Sequence, residues 1–236
     1  ESQTNINYTG GTVGYNDNKK LDVNLTVLQR TGGAGTYRLP EGEFLERKGL
    51  WVLNPKLWLS NLFEAGIFLK SEFAYQFKSG MRAYAWYLGG GIRRNDIKFK
   101  PSLYYRYAFM QGDNPETRTY ERFDALLSSG LGDWVQGINY RKTLGNGNLR
   151  THRIELKGSL SEKWQLALDA FFLRADQLNN LGGLVPISTL SDTDFGQEFT
   201  ANLRYYINQH FLLQGVVSRA IPGKAILNNL PEAKPW

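Results

Sequence analysis

The sequence predicts an all-β fold, specifically a transmembrane antiparallel β-barrel of about 16–18 strands when complete, with about 10–11 of them in this chain. Three observations lead there. Apolar and polar residues alternate with period two over unusually long stretches. Several stretches reach the ~9–11 residues that a tilted strand needs to cross a bilayer, beyond the ~5–6 usual in soluble sheets. Aromatics gather near strand ends, as interfacial girdles do. The composition agrees: among 236 residues there are 25 Gly, 13 Tyr, 13 Phe and 6 Trp, with 42% hydrophobic and 21% charged residues. The whole chain, 1–236, reads as one incomplete barrel domain.

The elements follow in chain order. A weak alternating run covers residues 4–15. Leu21, Val23, Leu25 and Val27 alternate with Asp22, Asn24 and Thr26. Residues 63–77 set Phe63, Ala65, Ile67, Leu69, Phe73, Tyr75 and Phe77 against Glu64, Lys70, Glu72 and Gln76. Tyr84, Trp86, Leu88 and Ile92 alternate with small residues and glycines, and Leu103, Tyr105, Tyr107 and Phe109 with Ser102, Tyr104 and Arg106. A second weak run covers 134–142. Clear runs return at 153–160, 165–172 and 198–207, and a third weak run covers 211–218. Polar breaks with hairpin chemistry separate many of them, among them Asn16-Asp17-Asn18, Lys78-Ser79-Gly80, Asn95-Asp96 and Asn208-Gln209-His210. Three connections read as long: 31–61, 111–131 and 176–194. Rims must alternate, and this strand list puts 31–61 and 176–194 on one rim and 111–131 on the other. Either a strand hides in a connection, or a long segment on that second rim folds into the lumen as a plug.

A soluble sandwich also alternates. Against it, the mid-strand apolar rows carry no charge, and a charge there would cost roughly 2–4 kcal/mol at a bilayer midplane. No helix is available to cover a sheet edge, and barrel closure satisfies every backbone group in lipid. With no cysteine there is no disulfide, thiolate metal site or cysteine nucleophile. No apolar run is long enough for a spanning helix, and no secretory leader opens the chain. Pro231 and Pro235 do not suit a closing strand, whereas Trp236 reads as the first residue of one. The expectation is a partial barrel.

The net charge of +6 favours an anionic partner without choosing among lipid, acidic polymer and nucleic acid. On the barrel reading the expected partners are outer-membrane lipid or lipopolysaccharide, an anionic polysaccharide or small anionic solute, and assembly partners, but not nucleic acid. The location is then the outer membrane of a Gram-negative bacterium. The alternation assigns a lumen face. Its basic members are Lys70, Arg93, Lys98, Lys100, Arg106, Arg141, Arg153, Lys157 and Arg204. Its acidic members are Glu64, Glu72, Glu155, Asp169 and Glu198. Arginines in a narrow pore lower the barrier for anions, and Arg106, Arg153 and Arg204 are the leading candidates. Ladders of paired charges that only brace the wall are the alternative for each. Four acids, Asp113, Glu116, Glu121 and Asp124, lie in the 111–131 connection, but their spacing matches no calcium loop. His152 and His210 fit no catalytic triad, so an enzyme is not expected, nor a cofactor or metal. Gly10-Gly11-Thr12-Val13-Gly14 and Gly89-Gly90-Gly91 open no helix and are not phosphate cradles.

Residues 69–137 resemble the alginate-export outer-membrane barrels. The carriers are Ser71-Glu72-Phe73-Ala74-Tyr75-Gln76, Lys100-Pro101, Tyr107-Ala108-Phe109-Met110-Gln111-Gly112-Asp113, Glu121-Arg122-Phe123-Asp124-Ala125-Leu126 and Trp134-Val135-Gln136-Gly137. The family commonly has Ser at the position of Gln111 and Pro at that of Ala125. The resemblance implies a monomeric barrel of about eighteen strands, of which this chain is roughly the C-terminal half. It implies passage of an anionic polysaccharide or small solutes across the outer membrane. A purely anchoring barrel, and a soluble β protein that binds an acidic polymer, are the competing readings.

Overall fold

Alternation becomes geometry in the computed structural model, which describes residues 6–18, 20–39, 42–126, 132–183 and 187–236. The chain is all-β, with 55% strand and 5% helix. Its strands are β1 (Tyr8–Asn16), β2 (Leu21–Arg30), β3 (Thr36–Arg38), β4 (Phe44–Glu46), β5 (Trp51–Leu62), β6 (Ile67–Lys78), β7 (Met81–Arg93), β8 (Ser102–Met110), β9 (Leu149–Ser159), β10 (Trp164–Arg174), β11 (Asp194–Tyr206) and β12 (Leu212–Pro222). Ten of them pair antiparallel in the order β1-β2-β5-β6-β7-β8-β9-β10-β11-β12, and β3 and β4 form a separate hairpin. Among the described residues β1 and β12 do not pair with each other, so the sheet has two edges. At the β12 edge, the backbones of Ala220 and Trp236 exchange both hydrogen bonds, at 2.7 and 3.1 Å.

The ten strands of the main sheet match the expected number, but their identities differ. The segment 31–61 is not one long connection: it contains the β3–β4 hairpin and all but the last residue of β5. In β5, Leu53, Leu57 and Leu59 do alternate with Val52, Lys56 and Trp58, but Pro55 interrupts the run. Asn54 compensates for the proline, donating its Nδ2 to the Phe73 carbonyl at 2.8 Å where the β5–β6 ladder is broken. The weak run at 134–142 is no strand. It forms a turn of 3-10 helix, Gly132–Trp134, and a helical turn α1 (Tyr140–Thr143). Nor does the 63–77 run begin at Phe63. Phe63 and Glu64 take positive φ in a turn, Glu64 faces Lys20 at 3.8 Å, and β6 starts at Ile67. Parts of the expected 4–15 strand and of the 111–131 and 176–194 connections lie outside the described residues.

With β5 in and 134–142 out, the rims sort themselves. One rim carries only the short links β1–β2, β5–β6, β7–β8, β9–β10 and β11–β12. The other carries the three long connections 31–50, 111–148 and 175–193, together with the tight β6–β7 turn. The long connection 111–148 folds back against the polar face of the sheet. Its Tyr140 and Leu144 pack with Ala85, Ala108, Met110, Leu149 and Phe171, all buried. The inner face is thus apolar near the long-connection rim and polar further down.

Between its rims the opposite face is apolar, and none of the described residues covers it. Leu25, Leu57, Leu69, Leu88, Leu103, Ile154, Leu168 and Leu203 stand on it, and Leu88 is 54% exposed. Tyr84 stacks on Phe109, and Trp86 packs on Tyr107, in a cross-strand aromatic belt.

Candidate functional site

The polar residues of β5 to β11 point to one side, and the sheet curls so that they line a single cleft of about 960 Å³. Its basic residues are Lys56, Lys70, Arg93, Lys100, Arg153, Lys157 and Arg204, and its acidic ones Glu72, Asp133, Glu155 and Asp169, an excess of three positive charges. Pairing divides them. Arg153 donates to Asp169 at 2.7 Å and also to Glu155, and Lys157 meets Glu155 at 2.8 Å. Lys70 binds Asp133 at 2.9 Å. Among the described residues, Lys56, Arg93, Lys100 and Arg204 have no acidic partner. With Glu72, likewise without an ion pair and opposite Lys56 across the β5–β6 ladder, set against them, these four leave the surplus of three.

Aromatic rings fill the wall between the charges. The Lys56 ammonium stands 3.7 Å from the Trp58 ring centroid and that of Lys70 4.6 Å from it, a geometry in which the ring face attracts the cation. Tyr87 donates to Glu72 at 3.1 Å, and Tyr104 lies within 3.4 Å of Asp133. Tyr104 can lie flat across the neighbouring strand because Gly89 stands there: a Cβ at that position would collide with the phenol ring.

Of the residues expected on the lumen face, the cleft gathers Lys70, Arg93, Lys100, Arg153, Lys157, Arg204, Glu72, Glu155 and Asp169. It does not reach Lys98, Arg106, Arg141 or Glu198. Lys98 is exposed in the β7–β8 turn, and Arg141 lies on α1, because 134–142 is no strand. Arg106 and Glu198 do point inward, but the folded-back segment covers them completely. Arg106 donates to the carbonyls of Asp133 and Val135 and to Gln136 Oε1. Glu198 accepts from the backbone N–H groups of Ile138, Asn139 and Tyr140 and from Ser218 Oγ. Together they form a two-point clasp on residues 133–140. Gly137 turns between the clasp points with φ +86°, where a side chain would be strained and would strike the Glu198 carboxylate.

The other motif residues of the sequence seat the same connection. Gln76 and the Asp124 backbone exchange two hydrogen bonds, and Tyr37 donates to Asp124 at 2.7 Å. Arg122 donates to Asn180 and to the Gly147 carbonyl. Asp113 accepts from the Glu121 N–H and from Asn179. Burial raises the Asp113 carboxyl above its ordinary range and lowers the Arg122 guanidinium. The described residues hold no group of three or more His, Asp or Glu side chains placed to share a metal ion.

Sequence reasoning missed Lys56, Trp58 and Asp133. The first two lay in the hidden β5, where the alternation around Pro55 was the available signal. Asp133 sits on the folded-back segment, whose path no local pattern announces. A scan against protein-family models and a search of curated proteins find no match for the chain.

Proposed function

We propose that this sheet is wall of a transmembrane β-barrel in the outer membrane of a Gram-negative bacterium, and that its cleft conducts anionic solutes. The solutes are acidic saccharide chains or small anions, as the resemblance to the alginate-export barrels implies. The observation that carries the reading is the division of faces. One side of the sheet is apolar between its rims, and no layer of the described residues packs upon it. The other holds a charged, water-accessible cleft with surplus cations. Hydrocarbon outside and water inside account for both faces at once. The arginine and lysine heads without acids, Lys56, Arg93, Lys100 and Arg204, supply the field that favours anions. The folded-back segment narrows the passage from the long-connection rim. That observation gives weight to a second reading, an anchoring barrel with a closed lumen. No catalytic role is assigned: His152 faces outward against Tyr105, and His210 lies in a turn.

Two measurements test the proposal. The protein should enter detergent micelles or vesicles and fail to stay dispersed without them; a stable aqueous monomer would favour the polymer-binding alternative. In planar bilayers under a salt gradient it should show anion-selective currents. A Lys56→Ala/Arg204→Ala double variant should shift the reversal potential toward cations. An unchanged potential removes the role given to these cations, and a silent bilayer favours the anchor.

A further inference from the structure

The outward-facing residue nearest each strand end differs sharply between the two rims. From β6 to β10, the short-link rim presents Ile67, Ile92, Leu103, Gly158 and Trp164, none of them charged. The long-connection rim presents Phe77, Arg82, Phe109, Arg150 and Arg174. All three arginines are exposed and lie within one residue of their strand ends. Arg150 and Arg174 are direct cross-strand partners. Like charges directly opposite each other on one sheet face destabilise a ladder unless an anion joins them.

The surroundings make this pair a prepared site. Arg150 is fixed: its Nε and Nη2 both donate to Asp176 Oδ1, at 2.9 and 2.6 Å, and its guanidinium lies 5.6 Å from the Phe109 ring centroid. That leaves its remaining N–H groups free. Arg174 has no ion pair or side-chain hydrogen bond among the described residues. Arg82 lies within electrostatic reach of Glu121, which also feels Asp113 and Asp176, and Asp194 stands opposite Arg174 across the β10–β11 ladder but makes no ion pair with it within 4.0 Å. Phe109 and Trp86 are level with the pair, and one step towards the middle of the sheet Tyr107, His152 and Phe172 form the next outward row of the aromatic belt. A guanidinium pair just outside an aromatic girdle sits at the depth of lipid headgroups, and its forked donors match phosphate oxygens.

We propose that Arg150 and Arg174 bind the phosphate of a phosphorylated lipid headgroup at the long-connection rim, where Arg82 on β7 is a further exposed, outward-facing arginine. The inference rests on the membrane reading, and it adds a sidedness: the leaflet at this rim is the one that supplies phosphorylated lipid. Asp176 orients Arg150, while Arg174 supplies a guanidinium that no carboxylate among the described residues contacts.

The test uses the whole protein reconstituted in vesicles of neutral phosphatidylcholine, with and without added diphosphorylated lipid A, and native mass spectrometry of the lipid that remains bound. The wild type should retain lipid A over phosphatidylcholine, and Arg174→Gln should weaken that retention by about tenfold, the loss of roughly one charge-assisted contact. Arg82→Gln should weaken it less. Equal retention by wild type and Arg174→Gln overturns the proposal. So does competition by millimolar inorganic phosphate, which would mark a site for the free anion. Arg204→Gln, in the cleft, serves as the control and should leave retention unchanged. Failure of the wild type to enter neutral vesicles at all would instead overturn the membrane reading beneath it.

Discussion

At the scale of single residues, the chain uses inward-pointing charges in two ways. Those with water access, such as Arg204 and Lys56, face the cleft. Those under the folded-back segment, Arg106 and Glu198, become hydrogen-bond hubs. Sequence alternation gave their direction correctly and could not say what covers them, because cover comes from a segment more than 50 residues away in the case of Glu198 and its backbone donors. Asp113 shows a third use. Burial raises its carboxyl above the ordinary 3.8, so the folded chain holds that proton more tightly than the unfolded chain. Stability contributed there is therefore lost as pH rises through the folded value and gained as pH falls towards 3.8. Glu121, also raised by burial, acts with the same sign. Hydrogen exchange at the Glu121 amide, corrected for its intrinsic rate, should be slower at about pH 4.5 than at pH 7, and Asp113→Asn should shrink that difference.

Elements were legible in proportion to the purity of their alternation. β7 and β8 stood out because large outward apolars face mostly small or polar inward partners, and β10 because Leu166, Leu168 and Phe172 alternate with Gln165, Ala167 and Asp169, although Phe171 and Leu173 turn inward. β5 was hidden by one proline, whose missing donor Asn54 replaces by reaching across to Phe73. The reverse error came at 134–142, where alternating residues belong to a segment held by clasps rather than by a ladder. Alternation cannot separate the two cases, since neighbouring strands decide them. The strands also allow a direct test of what bathes the apolar face. Ile154 sits in the middle of β9, between Tyr105 and Ala170, and is 44% exposed. Ile154→Arg should cost about 2–4 kcal/mol of unfolding free energy in vesicles, and close to nothing if water bathes that face. Denaturant titration of both proteins in the same vesicles reads the difference.

On the scale of the whole molecule, the fold is a curled wall with its bulk on one rim. The sequence signalled a conflict between rims, and the conflict dissolved with a single exchange of strands. Of the two ways out of that conflict, the hidden strand is the one realised, and it puts 111–148 on the same rim as the other two long connections. The hold of 111–148 on the wall is concentrated. Three consecutive backbone N–H groups and the hydroxyls of Ser218 and Thr200 converge on Glu198, and the segment covers part of the inner face. Glu198→Ala should release 133–140 from that face, with a loss of about 2–3 kcal/mol and a rise in single-channel conductance. Unchanged conductance with the same loss of stability would show that the segment does not narrow the path.

One last consequence follows from the ladder order. Ten strands that reverse direction at every step leave β1 and β12 pointing opposite ways, and among the described residues neither has a further strand along its outer side. A ring built on these two borders without a parallel neighbour therefore needs an even number of intervening strands, zero included. The Ala220–Trp236 exchange supplies the first rung on one of those borders. Any odd count would force a parallel seam into an otherwise uniform cylinder.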